Sequence, residues 1–173
     1  MPRLQAKSNP GRSPQEKRAL AKLRKLAPDE QKRALIAFSL RGRPYLREGN
    51  GIVYLNSTIS LDHPKRVIWK VGETRDLVRR REEYRRCDVS HPHTWFFGFH
   101  VQRRLLAERV IQLSFLSGSN GGKRVHFRRK CTCGHRHREY VWFATPKSLS
   151  DIVTIIFDSL AFIGETQISV EVL

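Results

Sequence analysis

A short segment in the middle of the chain constrains the fold most. Residues 52–55 (IVYL) and 66–71 (RVIWKV) are rich in β-branched and aromatic residues, which favours strands. Gly72 ends the second run, and Thr74 is a good N-cap for a helix over residues 75–86. The polar residues 56–64 between the two runs indicate a loop. Two strands followed directly by a helix predict an α+β arrangement.

The remaining pattern extends this arrangement in both directions. Aromatic-rich residues 95–101 predict a third strand, residues 103–116 a helix with one apolar stripe, and residues 140–143 another short strand. Ser150 is expected to cap a last apolar helix that runs to Phe162. Towards the N-terminus, residues 1–13 indicate a disordered basic arm, followed by helices over 14–26 and 28–40.

We therefore predict an α+β fold with a small, mainly antiparallel three-stranded sheet flanked by helices, and with an N-terminal basic helical arm. Three regions are expected along the chain. Residues 1–46 form the basic arm, which is partly helical, and residues 50–146 form the folded domain. Residues 147–173 form an apolar and acidic C-terminal helix and tail.

The charge is large and unevenly distributed. Lys and Arg number 33 against 16 Asp and Glu, a net charge of +17. Residues 1–146 hold 32 of the basic side chains, whereas residues 147–173 hold one basic and four acidic side chains. An excess of this size points to a polyanion, and phosphates are the commonest dense negative surface in a cell. The sequence predicts a nucleic-acid partner that contacts residues 1–146.

Several other classes are excluded by the same composition. The longest apolar run, residues 152–163, is interrupted by Asp158 and is too short to span a bilayer, so no membrane partner is expected. The basic N-terminus is not followed by an apolar segment, unlike a secretory signal. Three cysteines are too few for a disulfide scaffold. We expect an intracellular location, the nucleus if the source is eukaryotic.

Four motifs occur in an order that resembles a known family. They are GIVY at 51–54, KVGETRDLVRR at 70–80, AERVI at 107–111 and CTCGHRHREYVWF at 131–143. Together they resemble the phage T5 open-reading-frame-172 DNA-binding domain family, and the last motif is similar to the ending of its fungal branch. That family is related to the GIY-YIG endonucleases. The resemblance covers about residues 50–143 and implies a GIY-YIG-like domain that binds DNA.

The resemblance also implies catalytic roles. Tyr54 matches the tyrosine near the attacking water, and a basic neighbourhood would help its phenol to lose or share a proton. Arg80 matches the arginine that steadies the phosphate, for which the planar guanidinium is suited. Glu108 matches the glutamate that holds the catalytic Mg²⁺ or Mn²⁺ through its oxygens. Glu139 is a rival candidate for this carboxylate.

Two positions depart from the nuclease pattern. Lys70, which we include among the candidate catalytic residues, stands where the nucleases have tyrosine, as is usual in the phage-type branch. Gln112 stands where that branch commonly has histidine. Both departures favour a DNA-binding module over an active enzyme, although the Mg²⁺-dependent endonuclease remains the main alternative.

The basic face of such a module would engage DNA phosphates. The residues expected to contact nucleic acid are Arg75, Arg79, Arg81, Lys123, Arg124, Arg128, Arg129 and Lys130. A third interpretation is a zinc-containing structural RNA-binding protein. In that case Trp69, Trp95 and Phe96 could stack on unpaired bases, although their strand pattern is also that of core residues.

A cysteine- and histidine-rich cluster indicates a structural zinc site. Cys87, Cys131, Cys133 and His137 would make a Cys₃His ligand set, with His135 as the substitute for His137. The spacing of Cys131 and Cys133 is tighter than the usual C-x₂-C. The alternative is three reduced thiols and solvent-exposed histidines in a basic loop.

Overall fold

The computed structural model describes residues 18, 21–23, 25–40, 49–60, 63–87, 90–127, 131 and 139–173. The described part contains four helices with defined bounds: α1 Pro28–Leu40, α2 Leu77–Arg85, α3 Arg104–Phe115 and α4 Leu149–Phe162. It contains six strands: β1 Gly51–Ser60, β2 His63–Thr74, β3 Ser90–Val101, β4 Gly122–Arg124, β5 Tyr140–Phe143 and β6 Ser169–Val172. The predicted α+β class and the helix over residues 28–40 are confirmed, whereas the arm of residues 1–13 lies outside the described residues.

All six strands belong to one sheet, in the order β4-β5-β2-β1-β3-β6, and every neighbouring pair is antiparallel. The predicted three-stranded sheet is therefore wrong in size. Strands β4 and β6, which the sequence analysis does not predict, are three and four residues long. Strand β6 pairs with the long strand β3, whereas β4 pairs with β5, which is itself four residues long, so both short edge strands depend on backbone hydrogen bonds to a neighbour.

The predicted loop over residues 56–64 is also wrong, because β1 continues to Ser60 and β2 begins at His63. Asn56, Ser57 and Thr58 are buried in β1 despite their polarity. Pairing with both β2 and β3 holds them extended, which the local composition does not predict.

One face of the sheet, here called the core face, carries the main hydrophobic core. Alternate strand residues such as Val53, Val71 and Phe99 pack there against α3 and α4. The apolar stripe of α3 is buried as predicted. Helix α4 begins with a capping box between Ser148 and Asp151, two residues before the predicted cap.

The opposite face, here called the site face, carries a smaller aromatic cluster. The strand residues on this face include Tyr54, Ile68, Lys70, Tyr140 and Trp142. The short helix α2 packs over part of this face and is capped by Asp76, whose side chain accepts a hydrogen bond from the Arg79 backbone. The predicted cap, Thr74, stays in β2 and accepts a hydrogen bond from the Asp76 backbone instead. The tight turn from β2 to α2 thus places the arginines of α2 beside the aromatic cluster.

A search of the described helices for an apolar stretch of membrane-spanning length finds none.

Candidate nucleic-acid interface

Tyr54 lies at the centre of the site face, and glycines flank it on both neighbouring strands. Gly72 of β2 and Gly98 of β3 are its partners in register. A Cβ at Gly72 would overlap the phenol oxygen of Tyr54, so the ring crosses β2 where that strand has no side chain. The ring also contacts Tyr84 and Trp95, with centroids 6.2 and 5.0 Å away. The glycine of the KVG motif is therefore required by the tyrosine of the GIVY motif.

Arg80 of α2 is joined to this tyrosine. Its Nε donates a hydrogen bond of 3.2 Å to Tyr54 Oη, and Nη1 donates one of 2.7 Å to Glu83 Oε2. The phenol oxygens of Tyr54 and Tyr84 lie 3.2 Å apart. Arg80 is 31% exposed, so its guanidinium is anchored from below and reaches the surface. The structure brings Tyr54 and Arg80 together as the motifs predict.

The pKa of Tyr54 is raised, whereas the basic neighbourhood was expected to help the phenol lose or share its proton. Burial raises its pKa above the ordinary value, although the charges of Lys70 and Arg80 act to lower it. Desolvation outweighs the basic neighbourhood because the side chain is completely buried. Tyr54 is therefore a neutral phenol at pH 7, and its oxygen accepts the hydrogen bond from Arg80.

Lys70 lies beneath the same surface. It is 2% exposed and forms an ion pair with Glu139, which is 45% exposed. Burial acts to lower the pKa of Lys70, but Tyr84, Tyr54 and the Glu139 carboxylate raise it well above its ordinary value. The lysine is thus permanently charged and is held inside the fold. It supports the position of Glu139 and does not itself reach a ligand at the surface.

Glu108 of α3 lies at the edge of β2. Strand β5 pairs with β2 only at Trp69 and Lys70, and just beyond this pairing Gln112 donates to the Val71 carbonyl at 3.4 Å. Gln112 also donates to Glu108 Oε1 at 3.2 Å. The glutamine that replaces the expected histidine therefore holds the Glu108 carboxylate beside Val71 of β2.

The ionisation of Glu108 links it to the other candidate residues. Burial, followed by the negative charge of Glu139, raises the pKa of Glu108 to about 7. The positive charges of Lys70 and Arg80 act in the opposite direction. Glu108 is therefore within electrostatic reach of Lys70, Arg80 and Glu139. Arg104, one turn before Glu108, pairs with Glu73 at 3.1 Å.

The variant Glu108→Gln is expected to stabilise the fold above pH 7 in the absence of divalent cations. The pKa of Glu108 is about 7 in the folded protein and ordinarily 4.5, so ionised Glu108 is less favourable in the folded than in the unfolded state. The wild-type free energy of unfolding is therefore undiminished below pH 4.5, and it falls as the pH rises from 4.5 through 7. At roughly 1.4 kcal/mol per pKa unit, the loss is about 3 kcal/mol. Urea unfolding of both proteins at pH 5 and pH 8 measures the difference. Asp158→Asn, an exposed carboxyl on α4, is the matched control. A Glu108→Gln effect of equal size at both pH values would contradict the assignment.

Basic side chains surround the aromatic cluster. Arg79 is 69% exposed, and Arg81 lies 5.8 Å from the ring centroid of Trp95. Across the face, Arg66 and Lys123 lie 4.0 and 5.4 Å from the ring centroid of Trp142. Of the other predicted contacts, Arg75 and Arg124 are exposed, and Arg128, Arg129 and Lys130 lie outside the described residues.

Sequence reasoning missed two members of this surface and misplaced others. Arg66 and Trp142 were not among the candidates, although the alternation of Arg66, Ile68 and Lys70 along β2 was a usable signal. Trp69 is buried in the main core, where it packs against the partly buried Phe96 with centroids 5.7 Å apart, so Trp69 is not available for stacking on bases.

Two of the four predicted zinc ligands are brought together. Cys87 and Cys131 are both buried, and their sulfurs lie 3.6 Å apart although 44 positions separate them. Tetrahedral zinc with Zn–S bonds of about 2.3 Å separates its sulfurs by roughly 3.8 Å, so the thiol pair fits. Cys133, His135 and His137 lie outside the described residues, within which no group of three metal-ligating side chains occurs.

The surface thus combines an anchored arginine, an ion pair between a buried lysine and an exposed glutamate, and a carboxylate of raised pKa, with aromatic rings and exposed cations around them. Comparison of the chain with family models, with curated proteins and with solved structures gives no match.

Proposed function

We propose that this chain binds DNA through the site face of its sheet, where Arg80 and its neighbours hold the phosphate backbone. The observation that carries the proposal is the anchoring of Arg80 on Tyr54, with exposed arginines on either side of it in α2. A guanidinium has five N–H donors, and the hydrogen bonds with Tyr54 and Glu83 do not use all of them. A fixed guanidinium at a surface is well suited to grip a phosphate.

The charge balance of α2 supports the same partner. Glu83 pairs with both Arg79 and Arg80, at 3.1 and 2.7 Å, so two arginines share one carboxylate. Arg81 on the helix and Arg86 just after its last residue add further exposed positive charge. The surplus around this surface favours a polyanion, and DNA supplies a regular row of phosphates.

A direct binding measurement tests the proposal. The wild-type protein, titrated into a fluorescently labelled 20-base-pair duplex at 100 mM salt, should raise the anisotropy and saturate with a Kd of about micromolar or tighter. An unchanged anisotropy up to roughly 100 μM protein would contradict DNA binding.

A second candidate function, metal-dependent cleavage of the phosphodiester bond, is favoured by Glu108. Its pKa of about 7 lets it exchange a proton for a cation near neutral pH, and one carboxylate with phosphate oxygens is a ligand set that Mg²⁺ uses. Mg²⁺ or Mn²⁺ bound there would supply positive charge beside the phosphate. Tyr54 and Arg80 would orient the phosphate, and Glu139 lies within electrostatic reach of Glu108.

Cleavage predicts a specific loss of activity. Supercoiled plasmid incubated with wild-type protein and Mg²⁺ or Mn²⁺ should be nicked, faster as pH rises towards 7 because Glu108 must be ionised. Glu108→Gln should reduce nicking by about 100-fold or more. Arg33→Gln, an exposed position on α1, serves as the control and should nick normally. Nicking that survives Glu108→Gln at the wild-type rate would exclude this function.

We also propose a structural zinc ion bound at Cys87 and Cys131, with Cys133 and His137 completing the ligand set. The sulfur separation of 3.6 Å supports it, because the fold already holds two thiols at the distance that zinc requires. Such a site would tie the end of α2 to the segment that leads into β5, and its binding free energy would add to the stability of the fold.

Zinc content provides the check. Protein purified under reducing conditions should contain about one zinc per chain, and Cys131→Ser should lose it together with several kcal/mol of stability. His126→Ala, an exposed histidine close in sequence, is the control and should keep the metal. Metal-free wild-type protein whose unfolding is unaffected by chelators would contradict the zinc site.

A further inference from the structure

We propose that Trp142 and Arg66 form a stacking platform for an unpaired base, so that the preferred ligand is DNA with an unpaired nucleotide beside the phosphate held at Arg80. This inference rests on the proposed DNA-binding function and names its substrate class.

The platform is built from neighbouring strands. Trp142 lies on β5 and is half-buried, and the Arg66 guanidinium of β2 lies 4.0 Å from its ring centroid. Lys123 of β4 is the partner of Trp142 in register, and its ammonium lies 5.4 Å from the same ring. Arg66 and Lys123 are both exposed. An aromatic ring with two exposed cations around it combines a surface for bases with charges for phosphates.

The pattern of β5 separates this tryptophan from the core. Tyr140, Val141 and Phe143 are buried, and Trp142 is the one residue of the strand that is half-exposed. Val141 and Phe143 belong to the main core, whereas Trp142 packs at the margin of the aromatic cluster on the site face. The packing of the fold therefore uses only part of the Trp142 ring.

The position of the platform relative to the phosphate site is set by the strand. Tyr140 is two residues from Trp142 on the same face, a step of about 7 Å along a strand. Tyr140 is paired in register with Lys70, whose ammonium lies 5.3 Å from its ring. Lys70 in turn interacts electrostatically with Tyr54, which anchors Arg80. A single strand crossing the site face would thus meet the phosphate site and the platform in succession.

Whether a base is paired decides whether it can stack on this platform. In a duplex each base is already stacked between its neighbours, so an aromatic side chain has no free base face to contact. An unpaired base exposes both faces and can stack on a guanidinium plane that itself lies on tryptophan. The geometry therefore favours bulged, flapped or single-stranded DNA over a continuous duplex.

The experiment compares a continuous duplex with the same duplex carrying a one-nucleotide bulge, by fluorescence anisotropy at a fixed salt concentration. Wild-type protein should bind the bulged DNA about tenfold more tightly, since stacking one base is worth roughly a tenfold gain or more. Trp142→Leu should remove this preference, so that the bulged DNA and the continuous duplex bind with equal affinity. Trp142→Phe, which keeps a smaller ring, should retain part of the preference.

A charge-conserving variant keeps the proposal testable if Trp142→Leu is poorly folded. Arg66→Lys retains the positive charge but loses the planar group, so affinity for the bulged DNA should fall by more than affinity for the continuous duplex. Equal wild-type affinity for the two DNAs, or a preference that survives both Trp142→Leu and Arg66→Lys, would overturn the platform while leaving DNA binding intact. Failure to bind either DNA would instead overturn the proposed function and the platform with it.

Discussion

Gly72→Ala is expected to lower the free energy of unfolding by about 2 to 3 kcal/mol and to displace Tyr54 from beneath Arg80. The new Cβ would occupy the position of the Tyr54 phenol. Tyr54 is completely buried between two neighbouring strands, so its ring cannot move aside without disturbing Tyr84 and Trp95. Urea unfolding followed by circular dichroism measures the loss of stability.

Two companion variants make this result specific. Gly118→Ala is the matched control, because a Cβ there meets no atom within 4 Å, and its effect should stay within about 0.5 kcal/mol. In a Tyr54→Leu background, the cost of Gly72→Ala should fall, since the overlapping phenol is gone. A Gly72→Ala cost that is as small as that of Gly118→Ala, or the same in both backgrounds, would contradict the crossing of Tyr54 over Gly72.

The double variant Arg79→Ala, Arg81→Ala is expected to weaken binding to duplex DNA by roughly 10- to 100-fold at low salt. Both side chains are exposed on α2, on either side of the anchored Arg80. Their removal should barely affect folding, because the Arg79–Glu83 pair at the helix surface contributes only a few tenths of a kcal/mol. Anisotropy titrations of both proteins with the same labelled duplex give the ratio of Kd values.

A second double variant that removes the same amount of charge elsewhere distinguishes binding at the site face from general electrostatic attraction to DNA. Arg33→Ala, Lys147→Ala also removes two positive charges, on α1 and just before α4, whose helices pack on the core side. This control should weaken binding by less than about threefold. Equal losses in the two double variants would show that net charge alone governs binding, and would contradict a DNA surface on the site face.

Local sequence predicted the long strands and most helices because their signals are repeated over many residues. The β-rich runs around Tyr54 and Lys70 lie in β1 and β2, and the apolar stripe of α3 lies in the core. Signals that depend on one residue were less reliable. Thr74 and Asp76 can both cap a helix, and the choice between them is made by pairing of Thr74 with β1. The short strands β4 and β6 are completed by pairing with β5 and β3, and these pairings depend on the whole fold.

The sequence pointed to only some residues of the candidate site and did not predict its electrostatics. The structure joins Tyr54 and Arg80 by a hydrogen bond, and Glu108 lies within electrostatic reach of Arg80. Basic residues around Tyr54 suggested a lowered pKa, whereas burial raises it, and depth of burial depends on the whole fold. Trp142 was missed because it becomes a candidate only through its contacts with Arg66 and Lys123, which come from two other strands.

The central claim, that DNA phosphates are held on the site face, is tested most directly by the salt dependence of DNA affinity. Each neutralised phosphate of a duplex contributes about 0.9 to the slope of log K against log salt. With Arg66, Arg79, Arg80, Arg81 and Lys123 on this surface, wild-type protein should show a slope of roughly −4. Arg79→Ala, Arg81→Ala should reduce its magnitude by about 2, while Arg33→Ala, Lys147→Ala should leave it unchanged. A flat wild-type slope, or the same slope in all three proteins, would contradict the claim.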